Sequence, residues 1–183
     1  MKKIILALAI LVAAVPAASF ATVITKGDVT RGSYSGSVNS SNAWIASNAL
    51  DGDAVNFWTF SGAANTLLSI VVDSTDIEFG VSVYSGLVDD LELLFDGFNN
   101  AGNFGNNIFV AGTNPLTGAI GTSLLNILLP STGVYTIAVG GEQGLDYSGN
   151  FGYTMKVSVP EPASLMLFAV ALLGMTFAIR RRA

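Results

Sequence analysis

Apolar and polar residues alternate with a period of two in short runs along most of this chain. Residues 79–84 show the pattern clearly, because Phe, Val and Val alternate there with Gly, Ser and Tyr. This alternation is typical of a β-strand with one buried face. Comparable runs of β-branched, aromatic and aliphatic residues occupy 22–24, 57–60, 66–72, 91–95, 124–129, 134–139 and 151–159. The pattern predicts a series of short strands, with no helix signature outside two terminal segments.

The segments between these runs carry Gly, Asn, Ser and Pro, which favour turns. Residues 27–41 are polar and predict a loop or a solvated edge strand, whereas 43–50 fit either a helix or a strand. Pro-Ser-Thr-Gly at 130–133 predicts a tight hairpin between the runs on either side. We therefore predict an all-β fold, with a single β-sandwich or jelly-roll domain over residues 22–159.

Residues 1–21 have the features of a secretory signal peptide. Two lysines precede a 12-residue apolar stretch at 4–15, and Pro16 ends it. Ser19 and Ala21 place small residues at the two positions that signal peptidase reads, so cleavage is expected after Ala21. A retained N-terminal anchor is the alternative, and the short apolar stretch argues against it.

Residues 163–179 form a second apolar segment, 17 residues long and without charge. As a helix it would span roughly 26 Å, close to the thickness of a bilayer core. Arg180, Arg181 and Arg182 follow at once. The positive-inside rule keeps them cytoplasmic and places the chain before Pro160 across the membrane. The segment thus predicts a transmembrane helix, and a buried core helix is disfavoured because the segment is not amphipathic.

Pro160, Glu161 and Pro162, the apolar segment and the arginine cluster together resemble the PEP-CTERM sorting tail of Gram-negative bacteria. The resemblance covers residues 160–183 and implies recognition by exosortase, a membrane protease. It also implies a host that makes exopolysaccharide, which is a further expected partner. The expected route is export across the inner membrane, transient anchoring, and then release to the cell surface or extracellular matrix.

The part of the chain between the two terminal segments is strongly acidic. Residues 22–162 contain three basic residues and all 13 acidic ones, a net charge of −10, whereas the whole chain carries −5. Such a domain lacks the basic surface that nucleic-acid binding requires. The chain also has no Cys and no His, which excludes disulfides, Ser-His-Asp and Cys-His catalysis, and zinc sites built on imidazole or thiolate.

Four short motifs resemble bacterial pre-peptidase C-terminal-like domains. They are Asp-Gly-Asp at 51–53 before the aromatic run at 57–60, the acidic and leucine-rich 89–96, the run 129–139, and the closing 149–157. The resemblance implies a β-sandwich that stands alone or is attached to secreted enzymes, and some of these domains bind calcium. This chain departs from the pattern at 99–107, where asparagines stand in place of an acidic loop.

The acidic residues offer a candidate calcium site, because calcium binds several carboxylate oxygens. The candidate ligands are Asp51, Asp53, Asp89, Asp90 and Asp96. The EF-hand spacing is absent, and solvated turns at strand ends explain the same residues. Paired carboxylates could also serve glycoside hydrolysis, but carboxylates alone do not define such a site. We therefore expect no catalytic residues.

A candidate aromatic platform for binding sugar rings consists of Trp44, Trp58, Tyr34, Tyr84 and Tyr147. Trp58, which stands between phenylalanines, is expected in the core, whereas Trp44 and Tyr34 have polar neighbours and are expected at the surface. From these observations we expect an exported, non-enzymatic surface or matrix protein. A carbohydrate- or calcium-binding adhesion module is the alternative.

Overall fold

A computed structural model of the chain describes residues 25–43, 53–88, 103, 107–113 and 122–159. The expected signal peptide, apolar segment and arginine cluster lie outside these residues. The described residues form nine strands and no helix, so no helix among them could cross a membrane. The strands are β1 (Thr25–Val29), β2 (Gly32–Ser40), β3 (Val55–Gly62), β4 (Leu67–Asp73), β5 (Phe79–Ser85), β6 (Ile108–Gly112), β7 (Thr122–Leu128), β8 (Gly133–Gly141) and β9 (Ser148–Ser158).

The strands form two sheets, which confirms the predicted all-β class. The five-stranded sheet has the order β1-β3-β8-β5-β6, and the four-stranded sheet has the order β2-β9-β4-β7. All the described pairings are antiparallel except β1 with β3, which run parallel. Apart from β5 and β6, consecutive strands belong to different sheets. The chain therefore passes back and forth between two layers, as in a sandwich.

The core lies between the sheets and follows the period-two pattern. In β4, Leu68, Ile70 and Val72 are buried while their neighbours are less so. In β9, Tyr153, Met155 and Val157 face the same core, and Phe151 packs partly against it, as the closing run 151–159 predicted. Burial of such side chains is the main favourable term for folding.

The outer face of the five-stranded sheet is buried as well. Phe57, Tyr84 and Ala138 belong to a second apolar cluster on that face, with Ala43 and Val88 packed against them. β5 and β8 are therefore buried on both faces. Alternation along the sequence indicated one buried face and did not predict the second.

The predicted hairpin at 130–133 is wrong. β7 lies at the edge of the four-stranded sheet and β8 in the middle of the five-stranded sheet, so the turn carries the chain from one layer to the other. The Tyr135 hydroxyl closes it, because it accepts a hydrogen bond from the Ser131 amide at 3.1 Å. Residues 27–41, predicted as a loop or edge strand, contain part of β1 and the edge strand β2.

The crossing from β1 to β2 is closed in the same way. The Thr30 amide donates a hydrogen bond of 2.8 Å to the hydroxyl of Tyr34, four residues later. Ser131 and Tyr135 have the same spacing. A tyrosine four residues downstream thus satisfies backbone groups at two separate crossings between the sheets.

Candidate functional site

The two ends of the sandwich differ, and the strand directions define them. β9 leaves the sandwich at Ser158, which pairs with Ser69 of β4, while Val157 pairs with Gly32 of β2. β1, β3, β5 and β7 end at this same side, which we call the tail end. The opposite side, which holds the connections β2–β3, β4–β5, β6–β7 and β8–β9, is called the far end.

The sorting junction, which is the point where the expected sorting tail follows β9, lies at the tail end. β9 is an inner strand, held by β2 on one side and β4 on the other, and its last core side chain, Val157, is buried. Val159 still packs partly against the core. The Pro-Glu-Pro residues begin at the next position, Pro160, outside the described residues. No described residue separates the folded domain from the expected sorting tail.

The far end carries most of the described acidic residues. Asp28 lies in β1, and the other six are Asp53, Asp73, Asp76, Glu78, Glu142 and Asp146 at the far end. Two of these carboxylates hold connections in place. Asp76 Oδ2 accepts a hydrogen bond from the Gly152 amide at 3.0 Å, and Asp146 Oδ1 accepts one from Ser40 Oγ at 2.7 Å. These acidic side chains therefore have a structural role, beyond solubility.

Glu142 is a buried carboxylate that the sequence analysis missed. Its side chain covers Gly80 on the outer face of the five-stranded sheet, where an added Cβ would lie 2.0 Å from Oε1. Thr113 Oγ1 donates a hydrogen bond of 3.2 Å to Oε1 and accepts one of 3.0 Å from the Val81 amide. Burial of a carboxylate requires such partners. Gly80, a glycine inside the strand pattern at 79–84, is the local signal that could have suggested a close approach here.

The predicted calcium ligands fall mostly outside the described residues. Asp53 is described and lies exposed just before β3, whereas Asp51, Asp89, Asp90 and Asp96 are not. Within the described ranges, no group of three acidic, His or Cys side chains is arranged to hold a metal ion. The calcium site therefore stays a prediction.

The aromatic residues that the structure describes do not gather into the predicted platform. Trp58 is in the core, as expected. Tyr34, expected at the surface, is partly exposed, and its ring also packs against the core, 5.8 Å from the Trp58 ring. Tyr147 is the exposed tyrosine among the described residues, at the far end beside Leu145. Trp44 lies outside the described residues.

A buried polar network joins the two sheets. The Trp58 indole Nε1 donates a hydrogen bond of 2.9 Å to the Tyr153 hydroxyl, which donates one of 2.8 Å to Asn56 Oδ1. Burial raises the pKa of Tyr153 above its usual value, so the hydroxyl stays protonated and remains a donor. Gly36 pairs with Tyr153 in the sheet, and its missing Cβ leaves room for the hydroxyl.

Comparison with known protein families identifies the segment that begins at the end of β9. A family profile for the PEP-CTERM protein-sorting motif matches residues 158–182. The chain carries a PEP-CTERM sorting motif. This motif implies an exported protein that is processed by an exosortase-type membrane protease and sorted to the cell surface. The match begins at the last residue of β9, so the motif starts where the described fold ends.

Solved structures with a similar fold include a surface-associated copper-binding protein, CorA, from Methylomicrobium album BG8. The TM-score is 0.51 at 11% identity, over 74% of this chain and 98% of that one. At this identity the likeness shows a shared fold and nothing more. No curated protein matches the sequence.

Two further solved structures show weaker likeness. One is PliG, a periplasmic inhibitor of g-type lysozyme from Aeromonas hydrophila, with a TM-score of 0.41 at 12% identity over 74% of this chain and 96% of that one. The other is the pre-peptidase C-terminal domain of a Bacillus anthracis collagenase, with a TM-score of 0.35 at 15% identity over 74% and 97%. The second is the domain type that the four sequence motifs resembled.

Proposed function

We propose that this chain is a non-enzymatic β-sandwich that exosortase releases to the cell surface or extracellular matrix. The observation that carries the proposal is the position of the sorting motif relative to β9. Because the Pro-Glu-Pro residues follow the last strand, cleavage there removes the apolar segment without removing any described strand. The product keeps its core intact, as a released protein must.

Intact-mass analysis of the protein from its exporting host tests this proposal. We expect the loss of residues 1–21, through signal peptidase, and of the apolar segment after Pro160–Pro162. The matched control is a host whose exosortase lacks its catalytic cysteine, where the signal peptide is removed and the tail retained. A mature chain that keeps residues 163–183 in the wild-type host would instead indicate a permanent anchor.

The proposal of a non-enzymatic role is supported by the grooves of the described surface. An open groove of about 390 Å³ is lined by Asp73 and Asp76, the two carboxylates a hydrolase could use. Asp76, however, is held by the Gly152 amide and by the Thr75 hydroxyl. A carboxylate engaged in fixing a loop is poorly placed to move a proton on a substrate.

A calcium- or carbohydrate-binding adhesion module is the second candidate, and the concentration of acidic residues at the far end favours it. If calcium binds the folded domain, millimolar calcium raises the melting temperature above that in sodium chloride of equal ionic strength. Magnesium has a smaller effect, because it keeps its water ligands. Equal shifts in calcium and in sodium chloride would exclude calcium binding. A glycan-binding screen with and without calcium tests the carbohydrate ligand, including exopolysaccharide.

Copper, the metal that CorA binds, is a poor match for this chain. Imidazole, thiolate and thioether are the protein ligands that copper favours. The chain contains neither His nor Cys, and Met155, the methionine that the structure describes, is buried in the core.

A further inference from the structure

We propose that the tail end of the sandwich rests on the outer surface of the membrane while the sorting tail is still inserted. The contact is made by an apolar rim, which consists of Leu67, Leu87, Ile108, Leu128 and Val134. This inference rests on the proposed function, since it requires an inserted tail. It adds the orientation of the domain and a lipid-binding surface.

The rim contains most of the exposed apolar side chains that the structure describes. Eight large apolar side chains are exposed in the described ranges, and five of them form the rim, each between 37% and 62% exposed. Every rim residue lies within two positions of a strand terminus at the tail end. Scattered apolar residues need no explanation, but their concentration at one end indicates a contact surface.

The rim residues lie on both sides of the sandwich. Leu67 and Leu128 are directly opposite each other in the register of β4 and β7, on the outer face of the four-stranded sheet. Leu87 and Val134 line a groove on the outer side of the five-stranded sheet. An arrangement around one end suits a flat partner that lies across the strand axes, as a membrane surface does.

The length of the linker brings this rim to the membrane. Five Cα–Cα steps separate Ser158 from the start of the apolar segment at residue 163, a reach of at most about 18 Å. Ser158 pairs with Ser69, and Leu67 lies two residues further towards the tail end. If the strands stand perpendicular to the membrane, Leu67 is about 7 Å nearer to it than Ser158 is. The rim then lies within about 11 Å of the bilayer core, close to the headgroup layer, which is about 5–8 Å thick.

The charges of the described residues favour the same orientation. Six of the seven described acidic residues lie at the far end. At the tail end, Arg31 lies between β1 and β2, and the seventh acidic residue, Asp28, lines the same groove as Leu87 and Val134. Anionic lipids repel the far end and attract a basic group. The acidic residues at 89–96 lie outside the described residues.

Single-cysteine labelling tests the inference cleanly, because the chain has no cysteine of its own. Leu67→Cys and Leu128→Cys place an environment-sensitive fluorophore in the rim. Leu145→Cys is the matched control, since this leucine is 65% exposed but lies at the far end. The full chain is reconstituted into phosphatidylethanolamine–phosphatidylglycerol vesicles, with and without brominated lipid.

We expect brominated lipid to quench the two rim fluorophores and to leave the Leu145→Cys fluorophore unchanged. In a Leu87→Cys background, the double change Leu67→Ser and Leu128→Ser should reduce the quenching. The control change Leu125→Ser, at an exposed leucine outside the rim, should not.

Three results would overturn the inference. The first is equal quenching of the fluorophores at both ends, and the second is an absence of quenching at the rim in the vesicle-bound chain. The third is a rim fluorophore that is shielded from water but not quenched, which would indicate that a second copy of the chain covers the rim. Failure of the chain to float with vesicles would overturn it too, by removing the inserted tail. The experiment contains no protease, so unquenched rim fluorophores would not contradict exosortase processing. Conversely, an absence of processing in cells would not contradict the contact between the rim and the membrane.

Discussion

At the scale of single residues, the hydroxyl of Tyr153 joins the two sheets. It accepts a hydrogen bond from Trp58 and donates one to Asn56, all within the apolar core. Trp58 is buried, so removing the hydroxyl takes away the acceptor of its indole N–H. Such orphaned groups cost more than the net value of the bond itself.

The change Tyr153→Phe should therefore lower the free energy of unfolding by about 1–3 kcal/mol. Tyr147→Phe is the control, because Tyr147 is exposed, and its effect should stay near zero. Urea unfolding of both variants measures the difference. Equal stability of the two variants would show that the network contributes nothing.

Gly36 is needed because the backbone of β2 closely approaches this same hydroxyl. A Cβ at position 36 would lie 2.4 Å from Tyr153 Oη and 2.8 Å from Asn56 Oδ1. Gly36→Ala should destabilise the domain by about 1–3 kcal/mol through overpacking. Gly133→Ala, at a strand position with no atom within 4 Å, is the matched control and should be neutral. A melting temperature unchanged by Gly36→Ala would contradict the packing argument.

At the scale of elements, the crossings between sheets depend on two tyrosines. Tyr135 is fully buried and bonds to Ser131, whereas Tyr34 is partly exposed and bonds to Thr30. When the hydroxyl is removed, water can form the lost hydrogen bonds at the exposed Tyr34 corner but cannot reach the buried Tyr135 corner.

Tyr135→Phe should accordingly cost about 1–2 kcal/mol of stability, and Tyr34→Phe clearly less. Thermal unfolding followed by near-ultraviolet circular dichroism measures both. Comparable losses for the two variants would mean that burial does not set the value of these corner bonds.

The calcium site was predicted at the level of elements and depends on segments that the structure does not describe. Asp53 lies at the start of β3, and its predicted partners lie in the connections at 44–52 and 89–102. Local spacing identified carboxylates that could bind a cation. Whether they converge depends on how two connections from different strands are placed, which no local pattern determines.

At the scale of the whole molecule, the domain should fold independently of both terminal segments. Residues 22–159 should give a circular dichroism spectrum dominated by β-structure, with no substantial helical double minimum, because the core is complete by β9. The same fragment should melt at the temperature of the signal-free full chain in detergent. A fragment that is helical or unfolded would refute the sandwich as an autonomous unit.

Local patterns in the sequence were sufficient for the sorting motif, the all-β class and most of the strand positions that the structure describes. The alternation at 151–158 reports burial directly, because Tyr153, Met155 and Val157 are buried while Thr154 and Lys156 between them are exposed. The sorting motif was readable because Pro-Glu-Pro, the apolar run and the arginines are contiguous. The signal peptide, predicted in the same way, lies outside the described residues.

Tertiary structure alone decided which strands pair and which faces are covered. Pro-Ser-Thr-Gly at 130–133 fits both a hairpin and a crossing, because either needs a tight turn, and only the partners of β7 and β8 distinguish them. The second buried face of β5 and the approach of Glu142 to Gly80 come from distant segments. The apolar rim and the acidic far end likewise arise from alternating strand directions, which place residues far apart in sequence at the same end.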